Sequence, residues 1–106
     1  MENTSPAVEF DKLAWEIAAP GARYKAFRKN GKQLRLVEFT KDFIEPDWCE
    51  KGHIGIVLNG ELEVIFRNQV IHYPEGSAIF IEPGAGNGHK ARSVTEMVRL
   101  FLVEEA

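Results

Sequence analysis

Hydrophobic and polar positions alternate along this chain in short segments that are separated by turn-forming residues. The apolar positions recur every second residue, and no segment shows a convincing 3.6-residue period. Eight or more short strands are predicted, at residues 12–17 (or a plug over one end of the structure), 22–28, 33–40, 53–58, 61–66, 70–73, 78–81, 89–94 and 96–103. Many short strands at close spacing are typical of an all-β sandwich or barrel.

Two Asn-Gly pairs, at residues 30–31 and 59–60, interrupt this alternation. Asn-Gly is the strongest two-residue hairpin signal, because both central residues of a type I′ turn need a positive φ. We therefore predict hairpins at both positions. A glycine-rich loop at residues 83–88 precedes the last two predicted strands.

The length of 106 residues suits one domain. We expect an N-terminal tail at residues 1–11 and a single domain at residues 12–106. Hydrophobic residues make up 44% and charged residues 27%, and the net charge is −3 without a Lys/Arg cluster, which argues against nucleic-acid and membrane partners. Cys49 is the one cysteine, so no internal disulfide is expected, and a cytoplasmic location is the default.

Four residues are candidates for a metal site. Asp47 and Cys49 lie two positions apart, so their side chains would face the same way in an extended strand. His53 begins one predicted strand and His89 follows the glycine-rich loop. Thiolate with imidazole suits Zn(II), whereas imidazoles with a carboxylate also suit Fe(II) or Ni(II).

Three neighbours of these residues are candidates for a pocket. Gly55 would point the same way as His53 and Val57, and its missing side chain would leave space beside the imidazole. Trp48 would pack at the core or the pocket mouth, or stack against a ring of a substrate.

Each candidate ligand also has a plain structural interpretation. Cys49 would be a small buried hydrophobe, and His53 a core histidine satisfied by a carboxylate such as Asp47. His72, at a predicted strand end, is expected to be exposed and is left out of the site.

The arrangement of motifs resembles the cupin family, over about residues 33–103. Gly60 matches the hairpin glycine of the family's first motif. The second motif is matched by Gly76, Ile79-Phe80-Ile81, Pro83-Gly84 and His89. The resemblance implies a small RmlC-like jelly roll, also called a double-stranded β-helix, whose barrel mouth holds a small ligand.

The ligand positions depart from the family's three histidines and one glutamate. His53 occupies the glutamate position, and Asp47 and Cys49 occupy the two upstream histidine positions. Only His89 matches in residue type.

Two functions remain open at this stage. The first is a divalent-metal-dependent enzyme that acts on a small polar substrate inside the barrel, with Zn, Fe or Ni as the metal and no catalytic residue assigned. The second is a metal-free module that binds or senses a small ligand. With either function, the resemblance implies a homodimer, and the segment 98–103 or 13–17 would supply the contact.

Overall fold

The computed structural model describes residues 6–106, and nine β-strands account for most of this part of the chain. The strands are β1 (Glu16–Ala19), β2 (Ala22–Lys29), β3 (Lys32–Thr40), β4 (His53–Asn59), β5 (Leu62–Phe66), β6 (Val70–Tyr73), β7 (Ala78–Ile81), β8 (His89–Ser93) and β9 (Met97–Glu105). Two short 3₁₀ helices, Phe10–Lys12 and Ala85–Asn87, complete the elements. The prediction of an all-β fold is confirmed.

The strands form two antiparallel sheets. One sheet has six strands in the order β1-β2-β3-β9-β4-β7, and the other has three in the order β6-β5-β8. The inner faces meet in a core of Val, Ile and Leu side chains. The buried core residues are Val37, Val57, Leu62, Val64, Ile79, Ile81, Val98, Leu100 and Leu102.

The hairpin predicted at Asn30-Gly31 is confirmed. Asn30 has a φ of 53° and Gly31 a φ of 76°, and the turn joins β2 to β3, which pair along their whole length. Both central residues therefore adopt the left-handed conformation that a type I′ turn requires.

The hairpin predicted at Asn59-Gly60 is wrong. β4 pairs with β7 and β9 in the larger sheet, whereas β5 pairs with β6 and β8 in the smaller one. Only Gly60 has a positive φ, of 76°, and Asn59 is still the last residue of β4. A Cβ at Gly60 would lie 2.3 Å from the Met97 carbonyl oxygen, so the glycine lets the chain cross tightly from one sheet to the other.

The N-terminal region differs from the predicted strand at residues 12–17. Lys12 ends a 3₁₀ helix and β1 begins only at Glu16. The Phe10 ring packs edge-on against Phe101, at 6.2 Å between ring centroids, so the predicted tail contacts the larger sheet at this point. Residues 1–5 of that tail lie outside the described residues. Within residues 6–106, no helix has the length and apolar character needed to cross a membrane.

Candidate metal centre

Three of the four predicted metal ligands come together inside the barrel. The ligand atoms of Cys49, His53 and His89 all lie within 4.8 Å of one another. The Cys49 Sγ is 3.7 Å from the His53 Nε2, and the two imidazole rings are nearly perpendicular, with 5.1 Å between their centroids. His89 is 3% exposed, whereas Cys49 and His53 are half-buried.

The three residues come from different parts of the fold. His53 is the first residue of β4 in the larger sheet, and His89 is the first residue of β8 in the smaller one. Cys49 lies between β3 and β4 and forms an isolated antiparallel bridge with His89. In this bridge the Cys49 N–H donates to the His89 carbonyl at 2.8 Å, and the His89 N–H donates to the Cys49 carbonyl at 2.9 Å.

The hydrogen bonds of the two histidines determine their tautomers. The His89 Nδ1 lies 2.9 Å from the carbonyl oxygen of Asn87, which can only accept, so Nδ1 carries the hydrogen. The His53 Nδ1 likewise donates to the Glu104 carboxylate. Both Nε2 atoms are therefore left with a free lone pair when the rings are neutral, as metal-binding imidazoles require.

Glu104 is held in its ionised form by the groups around it. Burial alone would raise the pKa of this carboxyl, but hydrogen bonds from His53, Arg35 and Gln33, with the charge of Arg35, lower it to about 2. The Arg35 guanidinium binds both carboxylate oxygens, through Nε at 2.6 Å and Nη2 at 2.8 Å. The Glu104 carboxylate therefore fixes His53 on one side and Arg35 on the other.

Glu104 and Arg35 were missed by the sequence analysis, although a signal for Glu104 is present. Val98, Leu100 and Leu102 point inward from β9, and Glu104 continues the same period of two. A carboxylate that continues a buried stripe requires a partner, which is the mark of a functional or structural ion pair.

A cavity of about 290 Å³ lies beside the three clustered residues. Its other lining side chains are mostly apolar and come from both sheets: Phe39, Leu62, Val64, Ile79, Ile81, Ala91, Leu100 and Leu102. Three charged residues complete the lining, namely Arg35, Glu45 and Lys51. Such a volume lies at the lower end of the range of small-molecule sites.

Asp47 is not brought into the cluster. It is exposed, at a bend, and the group of potential ligands found among residues 6–106 does not include it. The argument from strand period fails here because the segment before Cys49 is irregular rather than extended. The carboxylate that contacts His53 is that of Glu104.

The three residues predicted to form the pocket do not line this cavity. Val57 is buried in the core at 1% exposure, and the Trp48 ring is covered by Arg67 and Lys90, at 4.5 and 5.0 Å from the ring centroid. A Cβ at Gly55 would lie 1.9 Å from the Phe101 carbonyl oxygen. The glycine therefore permits the close approach of β9 and does not leave space beside the imidazole. His72 is exposed as predicted, 3.3 Å from Glu61.

Comparison with solved structures identifies the fold. A cupin-2 domain-containing protein from Shewanella frigidimarina has a TM-score of 0.60 and 22% identity, over 88% of this chain and 80% of its own. A cupin-superfamily sugar phosphate isomerase from Silicibacter pomeroyi has a TM-score of 0.76 and 13% identity, over 95% and 76%.

A further structural neighbour, FeII HppE, has a TM-score of 0.74 and 13% identity over 98% of this chain. This chain spans 62% of the length of FeII HppE and 56% of that of apo-HppE. No family model matches the sequence, and no curated protein matches it. At these identities the comparisons establish the fold: the chain has the small jelly-roll fold of these cupin structures.

Proposed function

We propose that this cupin domain binds a divalent metal through Cys49, His53 and His89 and acts on a small molecule in the adjoining cavity. The observation that carries the proposal is the tautomer of the two histidines. Each Nδ1–H is taken up by an acceptor, so both Nε2 lone pairs remain available, and the His53 Nε2 lies 3.7 Å from the Cys49 Sγ. Metal-binding histidines characteristically donate their second ring N–H to a carboxylate or a backbone carbonyl in this way.

The donor set fits Zn(II) best. One thiolate and two imidazoles are ligands that zinc prefers, and three protein ligands with an open position are typical of catalytic zinc sites. The set with a carboxylate that would suit Fe(II) or Ni(II) needs Asp47, which is exposed and outside the cluster. A thiolate ligand also requires reduced Cys49, which supports the proposal of a cytoplasmic location.

The chemistry follows from the metal and from the cavity wall. A bound zinc ion would act as a Lewis acid that polarises an oxygen of the substrate. The Glu104 carboxylate holds the His53 ring in its orientation, and apolar side chains from both sheets line the cavity beside it. We therefore favour a reaction without electron transfer, such as an isomerisation or a decarboxylation, because zinc has no redox chemistry.

Zinc binding is tested with two matched histidine variants. After loading with zinc and desalting, we expect about one equivalent of zinc in the wild type and in His72→Ala, and little in His89→Ala. His72 is a suitable control because it is the exposed histidine outside the cluster. Equal zinc content in the two variants would contradict the proposal.

A cysteine variant provides a second test that does not depend on whether His89→Ala folds. Loading with cobalt(II) should give sulfur-to-metal absorption in the wild type and none in Cys49→Ser, which replaces the thiol by a group of similar size. The far-UV circular dichroism of each variant shows whether the fold is retained. Unchanged absorption in Cys49→Ser would show that the thiolate does not bind the metal.

One observation favours the alternative of a metal-free binding module. The Cys49 thiol is close enough to the His53 Nε2, at 3.7 Å, to satisfy that lone pair without a metal. This function predicts that neither a chelator nor added zinc changes the thermal stability. Tight metal binding predicts a clear rise in the melting temperature with zinc, because a ligand that binds only the folded state stabilises it.

A further inference from the structure

The residues that line the cavity restrict the chemical class of its ligand. Eight apolar side chains form most of the wall, and the charged groups Arg35, Glu45 and Lys51 complete it. Among the described residues that line it, there is no hydroxyl or amide side chain. A sugar or another polyol needs hydrogen-bonding partners around most of its surface, because each hydroxyl buried without one costs free energy, and the apolar side chains that form most of this wall offer none. The wall therefore favours a largely apolar ligand.

Two cationic side chains give the cavity a polar end. Arg35 and Lys51 line both the cavity and a neighbouring polar cleft of about 230 Å³, which places them where the two spaces meet. No ion pair of Lys51 is found within residues 6–106, so its ammonium group has no anionic partner there. Arg35 gives two N–H groups to Glu104, and its remaining N–H donors are not needed for that ion pair.

The formal charges of the wall select the charge of the ligand. Arg35, Lys51 and a divalent metal would supply four positive charges. Glu45 and the Cys49 thiolate, with the Glu104 carboxylate that pairs with Arg35 outside the lining, supply three negative charges, which leaves a single positive one. A monoanion neutralises this charge, whereas a phosphate dianion would exceed it. Glu45 is also committed to the structure, since its carboxylate accepts the Ala91 N–H at 2.8 Å.

We propose that the cavity binds a small monocarboxylic acid with an apolar body, whose carboxylate lies against Lys51 and Arg35. The charge argument rests on the proposed metal site, whereas the apolar wall and the two cations do not depend on it. The two proposals can therefore fail separately.

The proposal is tested by calorimetric titration of the zinc-loaded protein with four probes of related size. These are benzoate, its neutral isostere benzamide, the dianion phenyl phosphate, and the polyol glucose 6-phosphate. We expect benzoate to bind about tenfold or more tightly than the other three. Benzamide lacks the charge that strengthens hydrogen bonds to Lys51 and Arg35, the two phosphates exceed the single positive charge, and the sugar would bury unpaired hydroxyls. Equal binding of benzoate and benzamide, or tighter binding of glucose 6-phosphate, would overturn the proposal.

A lysine variant locates the carboxylate and separates it from the metal. In Lys51→Met, which keeps the apolar stem, benzoate affinity should fall about tenfold while zinc content and benzamide affinity stay unchanged. Lys41→Met is the matched control, because Lys41 is exposed and does not line the cavity. Unchanged benzoate affinity in Lys51→Met would overturn the assignment of the acid to this end. A wild type that does not retain zinc after loading would instead contradict the metal site. Elemental analysis measures this independently of benzoate binding.

Discussion

At the scale of single residues, Glu104 is the side chain on which the candidate centre depends most. Its carboxylate is 7% exposed, accepts hydrogen bonds from His53 and Arg35, and lies on the strand that also supplies Leu100 and Leu102 to the cavity wall. Carboxylates in this position fix the ring orientation of a metal-binding histidine and make it a better donor.

Replacing Glu104 by glutamine should therefore weaken zinc binding. We expect the zinc affinity of Glu104→Gln to fall about 10–100-fold, as for other partners of metal-binding histidines, and competition with a chromophoric chelator measures it. Glu105→Gln is the control, because Glu105 is exposed and makes only a 3.5 Å pair with Lys32. Equal zinc affinities in the two variants would show that the His53–Glu104 hydrogen bond does not support the metal.

At the scale of the elements, two ion pairs that share one carboxylate join three adjacent strands on the other face of the larger sheet. Glu38 on β3 lies directly opposite Arg23 on β2 and Arg99 on β9. Arg23 donates to one oxygen of the carboxylate at 2.8 Å through Nε, and Arg99 donates to the other at 2.9 Å through Nε. Glu38 is only 5% exposed, because the two guanidinium groups cover it.

These two ion pairs make the stability of the sheet dependent on pH. Burial alone would raise the pKa of Glu38, but the hydrogen bonds and charges of Arg99 and Arg23 outweigh it and lower the pKa. A carboxyl whose pKa is lower in the folded protein stabilises it above the unfolded value, and this contribution is lost as the pH falls through the folded value. At neutral pH we expect the free energy of unfolding of Glu38→Gln to be about 1–3 kcal/mol lower than that of the wild type.

The difference in the free energy of unfolding between the wild type and Glu38→Gln should shrink as the pH falls below about 4.3, the ordinary pKa of a glutamate. Urea unfolding at several pH values measures this difference. Glu96→Gln serves as the control, since the Glu96 side chain is 94% exposed and lies 4.0 Å from Lys41. A difference for Glu38→Gln that stayed constant down to low pH would mean that the carboxylate charge contributes nothing.

The elements were predictable from the sequence to the extent that they are local. Strands β3, β6 and β7 follow from alternation and turn residues, and Asn30-Gly31 forms the predicted turn. The same dipeptide at Asn59-Gly60 does not form a hairpin, because the pairing of β4 with β9 and of β5 with β8 outweighs the local signal. Sheet membership is decided by partners that are distant in the chain.

The site was predictable only in part for the same reason. Cys49, His53 and His89 were found from their chemistry and spacing. Glu104 was missed because it is 51 residues away from His53 in the chain, and only the pairing of β4 with β9 brings the two together. Asp47 was included because an extended segment was assumed where the chain bends.

At the scale of the whole molecule, one outer surface of the larger sheet is apolar. Ile54, Ile56 and Leu58 on β4 are 51%, 37% and 40% exposed, and Phe80 on β7, directly opposite Ile54, is 70% exposed. A groove of about 460 Å³ beside them has Lys32 and Lys51 but also Glu82 and Glu105 on its rim. A contiguous apolar surface bordered by both signs of charge suits a second copy of this chain, since a two-fold axis can set Lys32 of each copy against Glu82 of the other.

We therefore expect the protein to be a homodimer that associates through this surface. Phe80→Glu should shift the mass measured by size-exclusion chromatography with light scattering from dimer to monomer, because it places a charge in the apolar contact. Val70→Glu is the matched control, since Val70 is 58% exposed but lies on the smaller sheet. A wild type that is monomeric at high concentration, or a Phe80→Glu variant that remains dimeric, would contradict this interface.

The backbone bridge between Cys49 and His89 has a consequence for the exchange of metals. Its two hydrogen bonds involve main-chain atoms alone, so they hold position 49 beside the imidazole whatever side chain it carries. A histidine or an aspartate at position 49 would start from the same backbone position. The donor atom would then change from a soft sulfur to a harder nitrogen or oxygen, while the backbone stays the same. In the proposed metal site, a single substitution at position 49 would thus change which metal is preferred while the fold stays the same.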